Sequence, residues 1–421
     1  MRIVIVGAGL VGVASAYHLQ RAGHTVTVIE REPGVARGAS FANGGMLTPS
    51  MADPWNAPGV WKELLHSLGR ADAPMLVRPR ALPSLLVWGL KFLGASSPRR
   101  YAANTAHNLR LAAYSVAGME RLRREELLEY DAATLGTMKI YRDPRALEAG
   151  RQKALACAHP DVEVRLLNAA EAVDLEPGLA GIADRLAGAL HFPRDEAGDA
   201  RRFTESLGAA AERLGARIRL DTRATAILAG PAVRGVRTAT GDLPADAVIV
   251  AAGSHSAALL RSVGVRLPVK PVKGYSLTCV PAAGDERPPI RIPIVDDALH
   301  AALTPLGGAL RVAGTAEFAG FDTRPTAVRI DNLRRLLAAV LPRDAERLLA
   351  GTVLPWAGLR PMSADGVPCI GACGPTGLFA NTGHGHLGWT MADGSARLLV
   401  DLVGGGTPAL DAGPYSPRRF E

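Results

Sequence analysis

The chain has 421 residues, 48% hydrophobic and 21% charged, a composition that excludes general disorder and leaves room for two or three domains. Lys and Arg total 48 against 40 Asp and Glu, for a net charge of +8. The basic residues are spread along the chain and form no zinc-finger, RNP or basic-zipper pattern, so nucleic acid is not an expected partner. The four cysteines (Cys157, Cys279, Cys369 and Cys373) form no CxxC pair, and the ten histidines show no metal-binding spacing. A reduced, cytoplasmic protein without a metal is expected.

Arg2–Val6 is a run of β-branched residues, the pattern of a strand buried on both faces. The apolar stretch behind Met1 and Arg2 resembles a short secretory signal, but its regularly spaced glycines and its continuation into a second strand mark it as structure. A turn from Gly7 to Gly12 leads into a predicted helix, Val11–Ala22, and Gly23 stands where a helix stops. Thr25–Ile29 is a second β-branched strand and ends at Glu30, completing a βαβ unit. Residues 37–49 are a loop of small residues, and the stretch from Trp55 to Ser97 is amphipathic and interrupted by prolines. A long helix is predicted over Tyr101–Tyr130, a strand over Thr137–Tyr141 and a helix over Pro144–Ala156. Further on, the pattern predicts a helix over Phe203–Leu214, a strand over Arg217–Leu220 and a hairpin of Ala224–Leu228 with Val233–Thr238. A buried strand over Ala247–Ala252 ends in Gly253. Leu267–Val280, Ile290–Val295, His300–Pro305 and Ala309–Gly314 read as strands. Val328–Val340, Asp344–Ala350 and Leu387–Val403 read as helices.

Gly7, Gly9 and Gly12 fit GxGxxG between a strand and a helix, and Glu30 closes the next strand. The first glycine permits the tight turn, the second lets the backbone approach a pyrophosphate, and the third lets helix pack on strand. The helix N-terminus offers N–H groups to phosphate. Glu30 is placed to accept hydrogen bonds from a ribose, which disfavours a 2′-phosphate. Val6, Leu10, Val11 and Arg31 border this site. NAD and FAD share the fingerprint. The late apolar strand ending at Ala252 and Gly253 has the character of a second FAD-binding element.

The expected fold is α/β: a Rossmann-like dinucleotide-binding domain, discontinuous in sequence, with a second, sheet-containing substrate domain. Residues 1–50, 200–260 and 355–421 are assigned to the first, and 51–199 and 261–354 to the second.

Val4–Tyr17, Ala39–Gly45, Lys273–Thr278, Gly358–Pro368 and Asn381–Thr390 together resemble the bacterial D-amino-acid dehydrogenases of small-subunit type, members of the D-amino-acid oxidase family of FAD proteins. The resemblance spans nearly the whole chain. It implies non-covalent FAD and oxidation of a D-amino acid by hydride transfer to flavin, with hydrolysis to a 2-oxo acid and ammonia. It also implies electron transfer to a respiratory acceptor such as a quinone.

The same resemblance implies that Arg360, in Gly358-Leu359-Arg360-Pro361, binds the substrate carboxylate. A planar guanidinium suits that role because it makes two parallel charge-assisted bonds. Tyr275 is a second candidate, for the carboxylate or for closing the pocket. Gly383, His384, Gly385, His386, Leu387 and Gly388 resemble the turn beside the flavin pyrimidine, where His384 is expected to add positive charge. Ser40, Asn43, Gly44 and Gly45 resemble the loop along the isoalloxazine, and Ala224 a backbone contact to adenine. Near Leu299 the resemblance implies a tyrosine that is absent here, which leaves the preferred side chain open. D-Proline or D-hydroxyproline oxidation, and an oxygen-using amine oxidase of glycine or sarcosine oxidase type, remain alternatives.

Residues 74–100 combine Leu82, Leu86, Trp88, Leu90 and Phe92 with Arg78, Arg80, Lys91, Arg99 and Arg100. Such a stretch suits either peripheral contact with the inner face of the cell membrane, through Leu86 and Phe92, or packing within the protein or a subunit interface.

Overall fold

The computed structural model describes every residue except 68–72, 74, 157, 158, 161 and 283–287, together with the side chains other than those of Glu63 and His66. Cys157 and Pro74 therefore lie outside the described residues.

Arg2–Val6 forms the centre of a six-stranded sheet. It pairs in parallel with Thr25–Ile29 on one side and Ala247–Val250 on the other. Arg217–Arg219 extends the first edge, and Leu378–Thr382 and then Cys369–Ala372 extend the second. Strand side chains alternate between faces. Ile3, Ile5, Val26 and Val28 accordingly pack against the helices Leu10–Arg21, Ala200–Arg213 and Gly388–Gly404, through Leu19, Phe203, Leu207 and Met391. Val4, Val6 and Ile29 pack on the opposite side, against Ile227 and Val236 of a three-stranded antiparallel sheet. Cover on both faces explains why the first strand reads as an unbroken apolar run.

The second large sheet has nine strands. It begins at Thr352–Ser363 and passes through Val269–Val280, Ala309–Phe318 and Ala301–Leu306 to Thr137–Tyr141 and Gly188–Phe192. The helix Ala327–Val340 covers it, burying Leu333, Leu337 and Val340 against Leu277, Leu310 and Val312. Thr352–Ser363 pairs along its whole length with Val269–Val280, so residues 355–363 belong to this sheet although the sequence reading placed them with the first. Conversely, the helix Pro98–Glu126 buries Leu109, Leu111, Met119 and Leu122 in the core of the first sheet. It starts before the expected Tyr101 because Pro98 suits the first helical position, and it ends where Leu127 turns left-handed at φ 51°. Gly188–Phe192 and the helix Ala169–Leu175 were not expected from the sequence.

The basic, apolar stretch contains the helix Leu82–Gly94. Trp88 and Phe92 are buried in it, stacked on each other and packed with Phe318, and the Trp88 indole N–H donates to the Met362 carbonyl at 3.2 Å. Phe92 therefore faces inward, correcting the expectation that it sits on the outer face. Leu86, Val87 and Leu90 are 66%, 70% and 73% exposed. Among the described residues no helix is long and apolar enough to cross a membrane.

The turn Pro49–Met51 is pinned to the second sheet by one buried carboxylate. Asp195 accepts from the Ser50 N–H at 3.3 Å, the Ser50 hydroxyl at 2.5 Å and the Thr137 hydroxyl at 2.6 Å. Burial pushes the Asp195 carboxyl up to about 7, outweighing these hydrogen bonds to the charged form. The folded protein thus keeps this proton in a pH range where the unfolded chain, with its ordinary value of 3.8, has lost it. The resulting stability is fully present at acid pH and is lost as pH rises through about 7. The thermal midpoint of the wild type minus that of Asp195→Asn should therefore decline between about pH 5 and about pH 7 and then level off. A difference constant over that interval would contradict the assignment.

Candidate active site

The glycine turn is built by sterics that no other residue satisfies. Gly7 has φ 110°, and a Cβ there would lie 2.6 Å from the Ala251 carbonyl oxygen. A Cβ on Gly12 would lie 1.9 Å from the Gly7 carbonyl oxygen, so this glycine lets the helix close on the strand. A Cβ on Gly9 would meet only the Ser40 hydroxyl, at 3.7 Å, which leaves an open cradle above the turn. The Leu10 N–H, at the start of the helix, donates to Ser40 Oγ at 3.1 Å. Ser40 therefore lies against the glycine turn. Glu30 accepts from the Ala8 N–H at 2.7 Å and the Glu32 N–H at 3.1 Å, which fixes its carboxylate at the end of the second strand.

One cavity of about 1720 Å³ runs from this turn to Arg360. Val6, Gly7, Gly9, Leu10, Val11, Glu30 and Arg31 line it, with Ala224, Ala252 and Gly253. Ser40, Asn43, Gly44 and Gly45 line the same cavity, as do Tyr275, Arg360, His384, Gly385, His386 and Gly388. Gly12, Gly383 and Leu387 lie behind the lining. Gly12 seats the helix, Gly383 turns at φ 84° behind His384, and Leu387 is buried in the first core. The cradle, the fixed acidic residue and the length of the cavity fit a dinucleotide cofactor.

The loop at Asn43 is held from the second sheet. The carbonyls of Ala42, Asn43 and Gly44 accept from the Ser276 hydroxyl at 2.7 Å, Arg311 Nη1 at 3.3 Å and the Thr304 hydroxyl at 2.6 Å. Arg311 is itself paired with Asp199 at 3.0 Å. These contacts tie this loop to the second sheet. No local pattern signals them, since Ser276, Thr304 and Arg311 come from separate strands.

Arg360 lies deep in the protein, with part of its surface open to the cavity. Its guanidinium sits 5.2 Å from the Trp55 ring centroid, and Nη1 donates to the Thr315 carbonyl at 3.1 Å. Burial lowers its pKa to about 10, so it stays a cation at neutral pH. Among the described residues no carboxylate pairs with it. Room for the guanidinium comes from Gly274 on the neighbouring strand, where a Cβ would lie 2.3–2.4 Å from its atoms. Trp55 also stacks with the His386 ring, at 5.2 Å and 22°.

Neither histidine of the C-terminal turn carries charge. Burial lowers His384 to about 3, and its Nε2 is 2.9 Å from the Ser395 hydroxyl. Burial and the nearby Arg360 lower His386 to about 4. The positive charge expected of His384 is therefore not supplied, because desolvation keeps the ring neutral. Tyr275 is buried, and its hydroxyl donates to Glu317, which also accepts from Arg78 Nε at 2.6 Å. The phenol is thus committed to Glu317, while the residue contributes to the cavity wall. Where the resemblance implied a tyrosine, His300 lines the cavity instead, at φ 48°. Trp55, Gly274 and Thr315 complete the Arg360 site; of these only Gly274 fell within a stretch that the sequence singled out.

A family model described as DAO, FAD dependent oxidoreductase, matches residues 2–402. The chain is 42% identical over 429 residues to a D-amino acid dehydrogenase of Rhizorhabdus wittichii, and 40% identical over 422 residues to one of Rhizobium johnstonii, with the full length of both chains covered in each case. Among solved structures, glycine oxidase from Geobacillus kaustophilus superposes with a TM-score of 0.76 at 25% identity, covering 99% of this chain and 98% of that one. L-Proline dehydrogenase from P. horikoshii, at 19% identity, has a TM-score of 0.77 over 100% of this chain and 97% of its own, a likeness of fold. The glycine cradle, the two sheets joined along one cavity and the match across nearly the whole length lead to one conclusion: the chain belongs to the DAO family of FAD-dependent oxidoreductases.

Proposed function

We propose that this protein is a D-amino-acid dehydrogenase, and that Arg360 orients the substrate by its carboxylate. The observation that carries the reading is a half-buried guanidinium in the cavity lining without a carboxylate partner among the described residues. A desolvated cation in that setting favours an anionic ligand, and the guanidinium fork matches a carboxylate. The full-length relatives named D-amino acid dehydrogenase support the substrate class.

Bound FAD supplies a hydride acceptor for the substrate Cα–H, and the imino acid so formed hydrolyses to a 2-oxo acid and ammonia. The protein's part is to hold and orient. Arg360 fixes the carboxylate, Trp55 fixes Arg360 and shields it from water on one face, and Gly274 leaves the space that the guanidinium fills. Gly7, Gly9, Glu30 and the loop at Asn43 are the proposed non-covalent cofactor contacts, with the turn His384–Gly388 beside the cofactor's polar edge. N–H groups at the start of the Gly388–Gly404 helix favour negative charge there.

We further propose that electrons leave to a membrane quinone, and that the exposed apolar side of the helix Leu82–Gly94 rests on the inner face of the membrane. Leu86, Val87 and Leu90 supply apolar area, and Arg99 and Arg100 supply charge for anionic headgroups.

Four outcomes follow. Arg360→Gln should lower kcat/KM for D-alanine with a dye acceptor by roughly a hundred- to ten-thousand-fold, the loss of two hydrogen bonds to a charged group. Gly274→Ala should raise KM while FAD content stays unchanged, and unaltered kinetics in both variants would sink the Arg360 reading. Because both turn histidines are neutral and hydride departure needs a neutral amine, kcat/KM should rise with pH through a single ionisation, that of the substrate ammonium. A bell-shaped profile from about pH 6 to about pH 9 would count against it. Finally, Leu86→Asp with Leu90→Asp should cut co-sedimentation with anionic vesicles several-fold and leave dye-linked activity intact. Equal sedimentation of the variant and the wild type would remove the membrane proposal.

A further inference from the structure

The strand Ala309–Phe318 carries an irregularity directly beside Arg360. Gly274 pairs with Ala316 and Tyr275 with Gly314, which leaves Thr315 as an extra residue on one side of the ladder. Thr315 has φ 59°, a left-handed conformation that a β-branched residue rarely adopts. Such a conformation persists where the surrounding structure enforces it, and it clusters at functional sites. The turn aims the Thr315 carbonyl at Arg360 Nη1, 3.1 Å away. Thr315 is among the residues that line the cavity, and it is 8% exposed. Its hydroxyl is buried and has no protein hydrogen-bond partner. A buried hydroxyl without a partner costs stability unless a ligand supplies one.

We propose that Thr315 recognises the substrate carboxylate together with Arg360: its carbonyl aims the guanidinium, and its hydroxyl donates a third hydrogen bond to the bound carboxylate. This rests on the reading of Arg360 as the carboxylate site. One backbone distortion accounts for both halves of the arrangement. With regular strand geometry, residue 315 would not be the extra residue facing Arg360. The carbonyl occupies one N–H of the guanidinium and leaves the remaining donors to the ligand. A hydroxyl from the same residue adds a donor at a second angle, which would discriminate a carboxylate from a neutral group of the same size.

The test uses the FAD-loaded protein and a ligand that does not turn over. Propionate binding is read from perturbation of the visible flavin spectrum, with propionamide as the neutral control. Thr315→Val, which removes the hydroxyl and keeps the shape, should weaken propionate binding roughly 10- to 100-fold and leave propionamide unchanged. Thr315→Ala serves as a second hydroxyl-free variant that is not β-branched, and it should show the same selective loss. Thr315→Ser, which retains the hydroxyl, should stay within about 3-fold of the wild type. With D-alanine, the hydroxyl-free variants should show the loss mainly in KM. If Thr315→Val or Thr315→Ala binds propionate as the wild type does, the hydroxyl has no such role. If serine and valine are equally impaired, the residue acts only through packing, and the inference fails. A wild-type protein that does not bind propionate would overturn the Arg360 reading and this one with it.

Discussion

A half-buried guanidinium without a carboxylate partner is the constraint around which this structure is arranged. Taking an unpaired cation out of water carries a cost of several kcal/mol, and such groups are otherwise paired or relocated to the surface. Here the cost is distributed. Trp55 offers the negative face of its ring, Thr315 a carbonyl and Gly274 the absence of a side chain. None of the three cancels the charge, so the site retains a net attraction for an anion. The neutral histidines on the adjoining turn add no charge beside Arg360.

The fold serves this arrangement by joining two sheets along one cavity. The parallel sheet provides the glycine turn and Glu30, both set by backbone geometry. The larger sheet provides Arg360 and Gly274 from two strands paired along their whole length. Contacts from Ser276, Thr304 and Arg311 to the carbonyls of the Ala42–Gly44 loop tie the two together. Side chains of the second sheet therefore hold the loop backbone that lies between the glycine turn and Arg360 in the cavity lining. Pre-organisation of this kind is what orientation-dependent hydride transfer requires.

What the sequence showed and what it concealed divide along the range of the forces involved. The βαβ unit was legible because its signals are local: a β-branched run, glycines that a Cβ would exclude, and an acidic residue closing the second strand. Arg360 was legible through a resemblance in motif. The strand Thr352–Ser363 was not recognised, because Pro355 and Pro361 argue against a strand unless it lies at a sheet edge, as this one does. The neutrality of His384 is a consequence of burial, which depends on residues far away in sequence. The commitment of the Tyr275 hydroxyl to Glu317 joins two strands and has no one-dimensional signature. Thr315 lies one residue past the expected strand Ala309–Gly314, and its left-handed backbone goes with the mismatch at Gly274 and Tyr275. The inward face of Phe92 likewise follows from packing against Phe318 and not from composition.

We propose that this cavity presents a D-amino acid, held by its carboxylate, to bound flavin. The most direct measurement is anaerobic mixing of the purified flavoprotein with the separate enantiomers of alanine and proline and with the amine that lacks a carboxylate, ethylamine, following loss of the flavin absorbance. Rapid bleaching by a D-amino acid, with slow or no bleaching by its L-enantiomer and by ethylamine, is the predicted result. Bleaching by ethylamine at a comparable rate, or by L-amino acids alone, would contradict it.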